Sequence, residues 1–155
     1  MKKLSHFDEQ GKITMVDVSA KETTTRRAVA SAKVLLNEET LRILRSNENP
    51  KGNPLEIARI AGIMAAKQTS NLIPLCHQLP LSKVDVKTEL KGDGVYLEAE
   101  VITTSNTGVE MEALTAVSIA ALTIYDMCKA FSHNIVIKDT RLIEKTGGKS
   151  DFKRG

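Results

Sequence analysis

The stretch from Thr107 to Phe131 constrains this 155-residue chain more than any other part of it. Wound as a helix, it places Val109, Leu114, Val117, Ile119, Leu122, Ile124 and Met127 on nearly every side. Its most apolar part, Ala113 to Ala121, is broken by Thr115 and Ser118 and falls far short of the roughly 20 residues a bilayer requires. The segment is therefore expected inside a folded domain and not in a membrane. One face should pack on a sheet, and another should most simply meet a second subunit.

The rest of the chain supplies that sheet. Thr24 to Leu36 is rich in Val, Leu and alternating small residues and reads as a strand, with helix as the competing assignment because of its alanines. Asn37 opens a short helix carrying Leu41 and Leu44, closed by the polar run Ser46 to Pro50. Pro54 starts a second helix, in which Ile57, Ile60, Ala61, Met64 and Ala65 recur at three- and four-residue spacing as far as about Leu72. Arg59 and Lys67 lie on its opposite stripe. Ile73 to Leu81 contains Pro74 and Pro80, so it is an apolar loop.

Val84, Val86 and Leu90 then alternate with charged residues, and Val95, Leu97, Ala99 and Val101 alternate after the turn Lys91-Gly92-Asp93-Gly94, which predicts a hairpin. Ile135 to Ile143 is a last strand. Strand, helices, strand, strand, helix, strand is the order of an α+β, ferredoxin-like fold, an antiparallel sheet with helices packed on one face. One domain over residues 1–155 is expected, with a flexible N-terminal arm at 1–12 and a flexible C-terminal tail at 146–155.

Charge and aromatic content narrow the function classes. Lys and Arg number 22 against 19 Asp and Glu, a net charge of +3, too low for a chain that lives on nucleic acid backbone. With no Trp, two Tyr and three Phe, base-stacking platforms are also scarce. Two cysteines, Cys76 and Cys128, make no disulfide framework, and no signal-like start is present, so a reducing cytoplasmic setting is expected.

Several residues carry candidate chemistry. Asp126 and Lys129 stand three apart on the apolar helix. Spacing alone favours an ordinary surface ion pair, whereas partial desolvation on such a helix would shift their pKa values toward proton-transfer use. Glu110 and Glu112 lie in the helix's first turn, where the dipole favours carboxylates. Glu112 and Asp126 are fourteen positions apart, roughly 21 Å along the axis, so both can serve one small ligand only if a second subunit completes the site.

His77 sits in the proline-flanked loop beside Cys76, as a hydrogen-bonded structural residue or a ligand contact, and no zinc-like spacing accompanies it. Lys51 occupies a turn before a helix, a common phosphate position and a common solvated one. Gly147-Gly148-Lys149-Ser150 lacks the first glycine of a phosphate loop, since Ile143 stands there. It remains either a basic terminus or a tail that brings Lys145 and Lys149 to an anion.

Five strings are more specific than spacing: Met15-Val16-Asp17-Val18-Ser19, Ala58-Arg59-Ile60-Ala61-Gly62-Ile63, Leu72-Ile73-Pro74-Leu75-Cys76-His77, Gly108 to Leu114, and Ala121 to Lys129. Together they closely resemble the cyclic pyranopterin monophosphate synthases, the accessory C proteins of molybdenum cofactor biosynthesis, from about His6 to Phe152. The chain departs from the family's usual pattern at Gln78, where Pro is common, and in having no Gly between Ser150 and Asp151.

The resemblance implies a homohexamer built as a trimer of dimers, with the active site at the dimer interface. It also implies conversion of 3′,8-cyclo-7,8-dihydroguanosine 5′-triphosphate, made by an upstream radical GTP cyclase, to cyclic pyranopterin monophosphate and diphosphate. Neither a metal nor a cofactor is implied. Asp126 corresponds to the general acid–base group, with Lys129 and Lys51 as catalytic lysines, one of them expected to have a lowered pKa. Leu75, Cys76, His77, Met111 and Glu112 correspond to substrate-binding positions, joined by Glu110, Arg59, Lys67 and Lys145. One expected arrangement has Lys51 and Asp126 reach a shared site from opposite chains.

Overall fold

Alternation of small apolar with polar residues makes the first strand the centre of the sheet. The computed structural model describes residues 5–155. Its elements run β1 (Thr24–Leu35), α1 (Glu38–Ser46), α2 (Pro54–Leu72), β2 (Leu81–Lys91), β3 (Gly94–Ser105), α3 (Glu110–Cys128), β4 (Val136–Thr146) and β5 (Phe152–Lys153). Strand order is β2-β3-β1-β4-β5, with every neighbouring pair antiparallel. This is an α+β, ferredoxin-like arrangement, extended by the short β5.

Ala28, Ala30, Ala32 and Val34 of β1 and Val95, Leu97, Ala99 and Val101 of β3 turn toward the helices and are buried. The opposite face of the sheet is polar: Arg27 pairs with Glu100 at 2.6 Å and Glu144 at 3.2 Å, and Lys83 pairs with Glu100 at 2.6 Å. A sheet with one dry and one wet face needs its helices on one side only.

α3 packs across β1, β3 and β4 with one face and along α2 with another. Ala113, Ala116, Ala120 and Ala121 are fully buried, and their small side chains let the helix approach both neighbours. At Gly62 of α2, a Cβ would lie only 3.0 Å from the Ala116 carbonyl oxygen. The second apolar face of α3 is thus largely covered within the chain by α2, where a second subunit was expected. The large apolar side chains that remain exposed are Met111 and Leu122 on α3 and Ile57, Ile60, Met64 and Leu72 on α2.

Helix ends follow side-chain chemistry. The Asn37 side chain accepts from the Thr40 amide at 2.9 Å, and Asn53 accepts from Leu55 and Glu56 in front of Pro54. α3 begins at Glu110, three residues later than its periodicity suggests, and stops at Cys128, short of Phe131. The Glu110 carboxylate folds back over Gly108, into the space a side chain there would otherwise take.

Residues 1–4 of the expected N-terminal arm lie outside the described residues. Phe7 and Ile13 form an isolated antiparallel bridge around Gly11, whose φ is +76°, and the Asp8 carboxylate accepts from the Gln10 and Lys12 amides. The stretch 146–155, read from sequence as a flexible tail, holds β5 on the outer edge of β4.

Ala120 tests the close packing of α3. Ala120→Leu inserts three heavy atoms into a fully buried seam and should cost about 1–3 kcal/mol. Denaturant unfolding of the variant checks this, and parent-like stability would mean that the seam has room.

Candidate functional site

The two ends of α3 carry different chemistry. At its C-terminal end, the Lys129 ammonium meets the Asp126 carboxylate at 2.8 Å, and Lys51 donates to the Asp126 carbonyl oxygen at 3.1 Å. Lys51 arrives from the loop between α1 and α2, within the same chain. The expectation that Lys51 and Asp126 come from opposite chains is therefore corrected: one subunit brings them together.

This cluster is open to solvent, with the Lys129 and Asp126 side chains 52% and 62% exposed. The hydrogen bond from Lys129, then its charge and that of Lys51, hold the Asp126 carboxyl below its ordinary value. Asp126 in turn raises Lys129, opposite to the lowered lysine pKa expected from sequence, because desolvation is slight here and pairing dominates. Beneath the cluster, burial pushes the Cys128 thiol up to about 11, which makes it inert packing.

At the N-terminal end of α3 the surroundings are drier. Leu75, Cys76 and His77 from the proline loop, Glu110, Met111 and Glu112 from the first turn of α3, and Val16 and Val18 line a cavity of about 330 Å³. His77 Nε2 lies 2.7 Å from the Val16 carbonyl, and Asn106 donates to the Val18 carbonyl at 3.0 Å, so two side chains strap the incoming N-terminal segment over the cavity. Glu112 is only 4% exposed. Desolvation raises its carboxyl to about 6, with the nearby Glu110 charge acting in the same direction. Burial and the Glu112 charge also raise the Cys76 thiol.

A second cavity, of about 570 Å³, shares Lys21, Thr107, Gly108 and Glu110 with the first. Arg26, Lys145 and Lys149 also line it, so with Lys21 four cationic side chains face two carboxylates, Glu22 and Glu110. Lys145 pairs with Glu110 at 3.0 Å. Arg26 Nε is buried without an acceptor among the described residues, an orphaned donor beside a cavity that suits an anion. Gly147, at φ +86°, lies so close to the Thr25 carbonyl that only glycine fits, and its own carbonyl accepts from Thr24 at 2.6 Å. That contact holds the Gly147–Lys149 turn at the mouth of the cavity.

The structure thus gathers Lys51, Asp126 and Lys129 in one place and Leu75, Cys76, His77, Glu110, Met111, Glu112 and Lys145 in another. Arg59 and Lys67 line neither cavity: Glu56 holds the Arg59 guanidinium at 2.6 and 3.0 Å, and Lys67 is exposed on α2. Sequence reasoning missed Lys21, Arg26, Asn49 and Asn106. The pair Arg26-Arg27 at the start of an apolar strand was a usable signal for one of them. Asn49 and Asn106 act through contacts made far along the chain, which local pattern does not encode.

A ferredoxin-like subunit with an acid–base cluster at one end of a buried helix and a cation-lined cavity over a buried carboxyl at the other is a protein built to handle a small anionic molecule. The family model of the MoaC family matches residues 15–148. A cyclic pyranopterin monophosphate synthase of Heliobacterium modesticaldum is 58% identical over 152 residues, covering 97% of this chain and 96% of the relative. A protein of the same name from Desulfitobacterium hafniense is 57% identical over 148 residues, covering 95% and 91%. The molybdenum cofactor biosynthesis bifunctional protein of Chlorobaculum tepidum is 57% identical over 146 residues; these are 94% of this chain and 47% of that protein, so the match spans about half of the longer relative. The chain belongs to the MoaC family.

Glu112 gives a pH signature. Its native carboxyl holds a proton to higher pH than the unfolded chain's, so between about 4.5 and 6 the folded state binds more protons and stability falls as pH rises. Above that window the cost is about 2 kcal/mol. Glu112→Gln should flatten the fall and be more stable than the parent at pH 8. Thermal unfolding from pH 4 to 8 measures this, and an unchanged profile would exclude Glu112 as its source.

Proposed function

We propose that this chain converts 3′,8-cyclo-7,8-dihydroguanosine 5′-triphosphate to cyclic pyranopterin monophosphate, releasing diphosphate, as a lyase of molybdenum cofactor biosynthesis. Identity of 58% to a cyclic pyranopterin monophosphate synthase over nearly the full length of both chains carries the reading. The cation-lined cavity supports it, since four cationic side chains suit a triphosphate.

In this reading Lys21, Arg26, Lys145 and Lys149 hold the phosphates. They stabilise negative charge as the cyclic phosphate closes and the bond from the α-phosphorus to the bridging oxygen breaks, so that diphosphate leaves. Opening the purine and closing the pterin ring requires repeated proton transfers. Asp126, Lys129 and Lys51 supply donor and acceptor at one end, and Glu112, which changes protonation near pH 6, supplies them at the other. His77, Leu75, Cys76 and Met111 shape the pocket for the base.

The two groups of residues lie at opposite ends of a 19-residue helix, too far apart for one ligand to span within a subunit. We infer that the working site combines the Asp126 end of one chain with the Glu112 end of another, at a dimer interface within a homohexamer arranged as a trimer of dimers. Ile57, Ile60 and Met64 of α2 and Leu122 of α3 are among the exposed apolar side chains available for such contacts. The substrate would come from a radical GTP cyclase, and the setting would be cytoplasmic.

Turnover of purified protein with the cyclic triphosphate, followed by mass spectrometry, is the direct test. Formation of cyclic pyranopterin monophosphate and diphosphate, with or without a chelator, is the expected result; a folded oligomer that binds without converting overturns the reading. Asp126→Asn should keep its fold and lose about 10²- to 10⁴-fold in kcat. Mixed oligomers of Asp126→Asn and His77→Ala subunits should regain activity that neither has alone, whereas mixing Asp126→Asn with Lys51→Ala should not. Recovery in the second mixture and none in the first would sink the two-chain arrangement.

A further inference from the structure

The loop that delivers Lys51 is anchored by a side chain with no role in the reading above. Asn49 is 8% exposed, and it uses both halves of its amide: Nδ2 donates to the Met127 carbonyl at 3.0 Å, and Oδ1 accepts from the Lys51 amide at 2.9 Å. Its backbone carbonyl also accepts from Gly52 at 3.0 Å, closing a tight turn around Pro50 and Lys51, with Gly52 at φ +100°. Met127 lies between Asp126 and Lys129 and is one of the last residues of α3, where carbonyls lack helical partners. Phe131, which would bond Met127 if the helix continued, donates to the Cys128 carbonyl instead.

Between residues 47–53 and α3 there are two hydrogen bonds among the described residues. One is made by the exposed Lys51 ammonium itself, and the other by Asn49. The long lysine side chain cannot hold the turn in place while serving a ligand. The short, buried amide can, because burial makes loss of its partners costly.

We propose that Asn49 is a positioning residue: its amide locks the Lys51 turn onto the C-terminal end of α3, so that Lys51, Asp126 and Lys129 are presented as one preorganised cluster. The proposal rests on the reading that these three residues act in turnover. A displacement of about 1 Å at Lys51 is enough to lower the chemical step strongly while leaving substrate affinity, set mainly in the cationic cavity, nearly intact.

Asn49→Asp keeps the acceptor for the Lys51 amide but places an oxygen against the Met127 carbonyl, so it removes the tie to α3. Asn49→Ser is a milder change that keeps a short acceptor and cannot reach Met127; it carries the same readouts should Asn49→Asp fail to fold. In either variant kcat should fall about tenfold or more, with KM within about twofold of the parent. Acetylation of Lys51 by acetic anhydride, read against Lys129 by mass spectrometry, should become several-fold faster. A lower melting temperature with kcat and Lys51 labelling at parent levels is what a purely structural asparagine would give, and it overturns the proposal. Lys51→Ala separates the two levels: normal turnover in that variant removes Lys51 from the mechanism, while the labelling of Lys51 in the Asn49 variants still decides whether Asn49 holds the turn.

Discussion

Close packing of α3 between the sheet and α2 is the interaction on which the other features depend. The helix can be apolar on nearly every side only because alanines at 113, 116, 120 and 121 allow two neighbours to cover it at short range. Burial of this kind is roughly proportional to the apolar area removed from water, so a helix covered on two faces contributes far more than a surface helix. It also fixes where the ends of α3 emerge, and both ends carry the candidate chemistry.

The ends differ because their surroundings differ. Around the first turn, the proline loop and the N-terminal segment exclude water from Glu112, and desolvation governs its ionisation. At the last turn the side chains stand in solvent, and pairing between Asp126 and Lys129 governs theirs. In a single subunit the second cluster is a surface ion pair of the kind that adds little to stability. Its value lies in geometry, with Lys51 and Lys129 converging on one residue from different elements. Covering that end with the dry pocket of another chain would change its dielectric setting without moving a backbone atom.

Much of the fold was legible in the sequence. Alternation marked the hairpin, three- and four-residue periodicity marked α2, and Asn and Pro marked helix starts, since each signal is local. The limits of α3 were less legible, because apolar periodicity runs on past the residues whose backbone is helical. The covering of its second face by α2 was also hidden, as no local pattern says which neighbour meets a helix. Within the candidate site, residue strings singled out Asp126, Glu112 and His77. The same strings placed Arg59 among the site residues, yet its guanidinium is held by Glu56 three positions earlier.

The sequence by itself determined the order and type of the elements and the residue types at the chemically able positions, because periodicity, capping and turn chemistry act over a few residues. Tertiary structure decided which charges meet. It set Lys51 beside Asp126, 75 positions away, buried the Glu112 carboxyl, left Arg26 with an orphaned donor at a cavity wall and tied Asn49 to the end of α3. These depend on desolvation and on contacts through space, and both exist only once the helix has been laid across the sheet.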